Sequence, residues 1–441
     1  MTGNKFFTLA LIGAASIVFW ALVAGPGRAQ LKVEPLPEPK AAPAWNALPK
    51  SVVVKAREAI IRVSPQSNQR RGVVHRGVRL PVYEAAPGPG CMGLWYRVYG
   101  EAWICARDVD PSSEPPSAEV LPIVPPNELT PWPYGFVYQD AVEYDRGGGE
   151  MNEVRELRPG FGVGIAGVRT FDGVKYIETA EGNYIEAASV KWGRVSDFAG
   201  VALGPGAAWP VGWVVSPYTW VVDQPEAKTK VRIEKLPRFT NFIVQGFYPE
   251  NGKPLFLKIG EARWIPAADA RWTTTPAEMP KDPKPGDKWI DVDTRQQVIA
   301  AYEGDKPVYV TLITSGRYGK ESETPAGQYN IWVKVAAIAM DNTDEQQEMS
   351  LTAPDAGTGV PAEPHLYSLH DVPWTMFFLE NFAIHGAYWH NRFGFRRSHG
   401  CVNLSPKDSR WFYRWAKPDV PPGWWAVQST PNDPGTIVKV R

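Results

Sequence analysis

The sequence predicts a mainly β protein, with small β-barrel repeats followed by a larger β-rich C-terminal unit. Three observations carry that prediction. Gly (40) and Pro (43) are frequent and fall at turn positions, which favours short strands joined by tight turns over long helices. Apolar residues alternate over short runs, as in residues 73–83 and 161–165. The chain also repeats itself at a fixed period. At 441 residues it is too long for one ordinary core. Lys+Arg and Asp+Glu both number 47, so no net charge draws the chain toward nucleic acid or anionic lipid.

The repeat is read from matching ends. Trp103-Ile104-Cys105-Ala106, Tyr184-Ile185-Glu186-Ala187 and Trp264-Ile265-Pro266-Ala267 recur about 80 residues apart. The second and third units also open alike, with Trp132-Pro133-Tyr134-Gly135-Phe136-Val137 and Trp209-Pro210-Val211-Gly212-Trp213-Val214. This places units at residues 59–111, 132–195 and 207–272, each of a size for a small barrel. Segments rich in Pro and charge read as linkers at 30–58, 112–131 and 273–288. The last unit then spans 289–428, with a tail at 429–441. Within it, residues 297–302 and 308–315 read as strands split by Glu303-Gly304-Asp305, 378–383 as strand or helix, and 408–416 as a short amphipathic helix.

The N-terminus reads as a targeting segment. Lys5 precedes an uncharged apolar run from Phe6 to Ala24, and Gly27-Arg28-Ala29 offers small residues at the two positions a signal peptidase reads. Residues 1–29 are therefore expected to be a signal peptide, or an uncleaved anchor, and the rest of the chain is expected in the periplasm or cell wall. Membrane contact is expected only through this segment, if it is retained. In an oxidising compartment the nearby Cys91 and Cys105 are expected to bond, leaving Cys401 as a lone thiol.

That thiol lies in the stretch Ile384 to Pro406, IHGAYWHNRFGFRRSHGCVNLSP. A free thiol is little ionised at neutral pH, and a neighbouring imidazole can take its proton and leave a nucleophile for acyl transfer. His385 can fold back on Cys401 through a hairpin. His399 lies two residues away along the chain. Gly400 leaves room for a substrate carbonyl and permits a turn that aims N–H groups at an oxyanion. A buried structural thiol and a zinc ligand are the competing readings of Cys401. Five of the six histidines (His365, His370, His385, His390, His399) crowd into this unit, but their spacings match no zinc pattern. No metal is expected. Arg396 and Arg397 read either as carboxylate binders or as a solvated turn.

These residues resemble the L,D-transpeptidase family with its YkuD-like catalytic domain. The resemblance rests on His385 followed by Ser398-His399-Gly400-Cys401-Val402-Asn403. It also rests on the upstream Glu323-Thr324-Pro325-Ala326-Gly327-Gln328-Tyr329, similar to the family's Thr-Pro-x-Gly-x-Tyr/Phe motif. The long stretch 331–373 departs from it and implies an enlarged loop over the site. The first unit resembles a bacterial SH3-like domain, through Ile61-Arg62-Val63-Ser64-Pro65, Arg79-Leu80-Pro81-Val82-Tyr83 and Trp95-Tyr96-Arg97-Val98. Units two and three look like degenerate copies. They are read as wall binders or as spacers, dispensable for chemistry.

The resemblance implies that Cys401 is the nucleophile and His385 the proton donor and acceptor, with the ring oriented by a backbone carbonyl near Gly386. It implies Ser398, His399 and Gly400 as positioning and oxyanion residues, and no cofactor. The implied partners are peptidoglycan stem peptides: a donor tetrapeptide loses D-Ala to form a thioester, and an acceptor amine then makes a 3-3 type cross-link. An L,D-carboxypeptidase or a hydrolase that releases a wall protein, with such a protein also possible as acceptor, and a non-catalytic wall-binding protein are the alternatives. Peptide mapping without reduction checks the thiols: a Cys91–Cys105 peptide with Cys401 alkylated is expected, the bridge contributing about 3 kcal/mol through the unfolded chain.

Overall fold

The computed structural model describes residues 48–146, 149–280, 286–319, 322–341 and 368–441. The expected signal peptide, His365 and the middle of the 331–373 stretch lie outside these. Among the described residues no helix is long and apolar enough to cross a membrane.

The three sequence repeats share one closing device. In each, a strand runs into a 3-10 turn and then a second strand. These are Ala102–Cys105, Ala106–Asp108 and Val109–Ser112; Tyr184–Glu186, Ala187–Ser189 and Val190–Trp192; Arg263–Pro266, Ala267–Asp269 and Ala270–Trp272. The central Ile104, Ile185 and Ile265 are fully buried, so the recurring motif marks the residue that plugs each small core. The second closing strand pairs antiparallel with the opening strand of its own unit, Val190 opposite Val137 and Ala270 opposite Val214.

The same pairing in the first unit corrects its boundary. Val109 lies opposite Val54 on the strand Ser51–Val54, inside the stretch 30–58 expected to be a linker. This opening strand lacks the Trp-Pro signature of its counterparts, and a run of three valines after a Pro-rich segment shows no alternation. Cys91 and Cys105 are bonded, with Cα atoms 5.6 Å apart. Cys105 faces Trp95, and Tyr99 faces Ala102. The hairpin therefore turns at Gly100-Glu101.

The C-terminal unit is a sandwich of two sheets. One orders the strands Val201–Ala202, Lys306–Leu312, Val298–Glu303, Lys288–Asp293, Ile437–Val440 and Gly327–Asn330. The other runs Trp424–Gln428, Val333–Asp341, Ser368–Leu379, Phe382–Gly386, Val402–Leu404. Ile290, Ile299 and Val438 from the first sheet meet Trp374, Met376, Ile384 and Leu404 from the second, with Phe412 of the helix Pro406–Trp415 against them. Ser405 caps that helix by accepting from Asp408 N–H at 3.2 Å, and Pro406 occupies its first turn. The expected tail 429–441 is in fact an interior strand: Ile437–Val440 sits between two partners, and Arg441 pairs with Asp291 and Asp293 at 2.7 and 2.9 Å. Its four residues after a turn are too few to carry a readable pattern. Residues 378–383 divide between two strands around a turn.

The small units are not beads on a string. Arg70–His75 of the first unit pairs with Trp424–Gln428, extending the second sheet. Trp424 and Val427 are buried in the first unit's own core. Arg71 reaches the Gln428 carbonyl and the Asp433 carboxylate, and Asn432 donates to Glu101 at 2.6 Å. Phe198, Val211, Trp213 and Val215 pack on Trp289, Val310 and Leu312. Dispensability of the first unit is therefore not expected, because removing residues 59–111 would uncover Trp424 and a sheet edge. A narrower change tests the seam. A Cβ at Gly72 would lie 2.5 Å from the Trp424 ring and from the Ala426 carbonyl. Gly72→Ala is expected to lower the urea midpoint, at a cost of about 1–3 kcal/mol.

Candidate active site

His385 and Cys401 are brought together by a parallel strand pair, not by the hairpin expected from sequence. Phe382–Gly386 pairs with Val402–Leu404, with Ile384 opposite Val402 and His385 opposite Asn403. Side chains paired across parallel strands share a face, so His385 faces the same side as Asn403, while Cys401 immediately precedes the partner strand with its sulfur at the Asn381 carbonyl. Residues 387–401 form the crossover that parallel pairing requires; a tight turn would have forced an antiparallel one.

The His385 ring is almost fully buried, with Nδ1 3.3 Å from the Gly386 carbonyl. A carbonyl only accepts, so Nδ1 carries the hydrogen and Nε2 keeps the lone pair a base requires. Burial lowers the imidazole pKa to about 4, against the smaller opposing effect of the Gly386 bond. Cys401 keeps partial surface exposure. Burial pushes the thiol up to about 11, with a hydrogen bond to the Ala383 backbone acting the other way. The thiol donates to the Asn381 carbonyl at 3.7 Å. Both shifts favour a neutral thiol beside a neutral imidazole in the resting protein.

The Ser398–Cys401 turn is braced from within and from outside. Ser398 Oγ donates to the Cys401 carbonyl at 2.5 Å and accepts from Gly400 N–H at 3.2 Å. Thr324, buried in the upstream motif, donates to the Gly400 carbonyl at 2.7 Å and accepts from Gly316 N–H at 2.9 Å. Gly400 has φ +122, and a Cβ there would strike the Phe382 ring at 2.3 Å. A glycine is thus needed for conformation and for packing on Phe382. The space beside it is filled by that ring and is not left for a substrate carbonyl. At Gly386 a Cβ would meet Ser409 Oγ at 2.6 Å, which seats the orienting carbonyl against the helix. The His399 ring contacts the Arg317 guanidinium.

Other residues fall outside their expected roles. Arg396 is a brace, donating to the Thr294 carbonyl and hydroxyl and to Glu323. The His370 ring lies between Glu181 and Arg155. His390 is drawn into the site: Nδ1 accepts from Arg392 N–H at 3.2 Å, and Nε2 lies 3.1 Å from the Asn403 carboxamide. Burial, with Arg397 and His385 adding to it, lowers His390 to about 3. Thr324, His390 and Asn403 stand within or beside the sequence motifs, but only their pairing across the fold gives them a place in the site. Among the described residues no group of three or more His, Cys, Asp or Glu side chains converges on one point.

Comparison with known proteins matches the family model of YkuD, the L,D-transpeptidase catalytic domain, to residues 287–440. Those residues form a YkuD-type L,D-transpeptidase catalytic domain. The domain includes the strand Ile437–Val440 that the sequence reading left out. Among solved structures, an Enterococcus faecium L,D-transpeptidase is 22% identical, with a TM-score of 0.24, and the match covers 35% of this chain and 50% of that one. An L,D-transpeptidase from Mycobacterium tuberculosis is 17% identical at a TM-score of 0.24, covering 48% and 70%. One from Mycobacterium smegmatis is 16% identical at 0.25, covering 63% and 99%. The chain thus spans about half the length of the Enterococcus faecium structure. A search of curated proteins finds no match.

The buried YkuD-domain histidines predict an acid-side stability slope. The folded pKa values of His385 and His390 lie below the unfolded value near 6.5. The unfolded chain therefore binds more protons below that pH, and stability falls as the pH is lowered from 6.5 toward 4. Each histidine contributes about 1.4 kcal/mol per pH unit at the steepest. Urea titrations between pH 7 and 4 are expected to show a shallower decline for His390→Gln than for the natural chain.

Proposed function

We propose that this protein is a peptidoglycan L,D-transpeptidase that acts through a Cys401 thioester. The observation that carries the reading is the parallel register that sets Cys401 at the head of the strand beside that of His385, with the His385 tautomer set by Gly386. In the first half-reaction Cys401 Sγ attacks the carbonyl carbon of the donor stem's L,D peptide bond while its proton passes to His385 Nε2. With the thiol pKa near 11 and the imidazole near 4, a preformed ion pair is disfavoured and the proton moves as the S–C bond forms. The tetrahedral oxyanion is met by backbone N–H groups around residues 399–401 other than that of Gly400, which donates to Ser398 Oγ and braces the turn. Collapse breaks the C–N bond. His385 protonates the departing amine, D-Ala leaves, and a thioester remains. An acceptor amine then attacks the thioester, loses its proton to His385 and expels Cys401, which recovers the proton. The product is a 3-3 type cross-link, and a substrate of this kind places the enzyme in the periplasm or wall. No cofactor enters the scheme.

Incubation of residues 48–441 with tetrapeptide muropeptides, read by mass spectrometry, tests this. Loss of D-Ala with formation of cross-linked dimer is expected, and tripeptide without dimer would instead mark a carboxypeptidase. Cys401→Ser is expected to reduce turnover to background while leaving the urea midpoint unchanged within error, since a hydroxyl is a far weaker nucleophile than a thiolate. A carbapenem is expected to add its intact mass to Cys401. Unchanged muropeptides with the natural chain would overturn the assignment.

A further inference from the structure

The crossover 387–401 does not stand alone between the catalytic strands; the repeat units hold it. Tyr388, just after the His385 strand, is buried and stacks on Tyr134 of the second unit, with centroids 3.6 Å apart and planes 7° from parallel. Trp389 meets Tyr388 edge-on at 5.1 Å and stacks on the His385 ring at 5.7 Å and 29°. A chain of aromatic contacts thus runs from Tyr134 through Tyr388 and Trp389 to His385.

Both tyrosines are anchored on one dipeptide of the catalytic domain. Tyr134 donates to the Asp371 carbonyl at 2.7 Å, and Tyr388 donates to the His370 carbonyl at 2.9 Å. Asp371 has φ +55, a conformation that L residues avoid unless their surroundings impose it. Its carboxylate accepts from Gly164 N–H of the second unit at 3.3 Å. The second unit's strand approaches so closely that a Cβ at Gly162 would lie 2.7 Å from the Tyr388 hydroxyl, and one at Gly164 would lie 2.7 Å from the Asp371 carboxylate. Farther along the crossover, Arg238 of the third unit donates to the Phe393 carbonyl at 3.1 Å, and Gly394 has no room for a Cβ beside Val215.

We infer that the second β unit is a working part of the active site, with Tyr134 a positioning residue that sets the His385 ring against Cys401 through Tyr388 and Trp389. A ring buried in an apolar setting and tied by one 3.3 Å bond to its own strand is free to tilt about that bond unless a neighbouring face stops it. Trp389 supplies that face, and Tyr134 fixes where Trp389 sits. The inference rests on His385 serving as the base of Cys401.

Alkylation of Cys401 by iodoacetamide tests it in the full chain without any wall substrate. Sulfur displaces iodide, and the thiol proton leaves through His385 where that ring is in place. The natural chain is expected to react at neutral pH, and His385→Ala only as the pH rises toward the thiol's own pKa. Tyr134→Leu is expected to slow the reaction at pH 7 by about tenfold, the scale of a catalytic group displaced by part of an ångström. Its pH–rate profile should shift toward that of His385→Ala, while the far-UV signature stays native. An alkylation rate within about twofold of the natural chain and an unmoved profile would overturn the inference. Should Tyr134→Leu fail to fold, Gly162→Ala takes its place, since its methyl group presses on Tyr388 from the same side, and an unmoved profile there overturns the inference equally. If His385→Ala itself alkylates like the natural chain, the base assignment fails instead, so the two failures are told apart.

Discussion

The parallel pairing of Phe382–Gly386 with Val402–Leu404 is the constraint on which the site depends. It fixes which residues share a face and returns the chain at Cys401 to the head of the strand beside that of His385, 16 positions earlier. It also requires a crossover, since parallel strands cannot be joined by a tight turn. That crossover carries Tyr388, Trp389, His390 and the Ser398–Gly400 turn, and nearly every other element of the site exists to hold it. Thr324 and Ser398 hold its C-terminal end by hydrogen bonds. Phe393 and Gly394 hold its middle against the third unit, and Tyr388 holds its start against the second.

Burial gives this arrangement its chemical character. A thiol and an imidazole removed from water each favour the neutral form, one by a raised pKa and the other by a lowered one. In the mechanism proposed above, such a pair moves its proton only as the new bond at sulfur forms. Such a pair is sensitive to geometry, because a fixed ion pair would attract its members into place and a neutral pair does not. Rigid support of the imidazole then falls to packing and to the single bond from Nδ1 to the Gly386 carbonyl.

The repeated units illustrate how copies of one design acquire different neighbours. Each closes its own small core with the same strand, 3-10 turn and strand, yet each meets the catalytic domain differently. The first shares a strand edge and the Trp424 side chain, the second an aromatic stack and the strained Asp371, and the third an apolar cluster around Trp213. Glycines at positions 72, 162 and 164 lie where these surfaces come closest, and at each a methyl group would collide with the opposing domain.

Local chemistry was legible in the chain itself. The Thr324 motif, the roughly 80-residue repeat and the mainly β character follow from residue types at short spacings, because turns, alternation and motif geometry are local properties, and the proposal of Cys401 and His385 as a catalytic pair rests on the same kind of local signal. The strand Ser51–Val54 and the strand Ile437–Val440 escaped, since four residues carry too little pattern to distinguish a strand from a linker or a tail. The parallel sense of the strands Phe382–Gly386 and Val402–Leu404, the filling of the space beside Gly400 by Phe382, and the contact of Tyr134 with the loop behind His385 were decided only by the tertiary structure. Each depends on which surfaces meet across 20 to 250 residues of chain, and packing of that kind leaves no periodic trace in either partner's sequence.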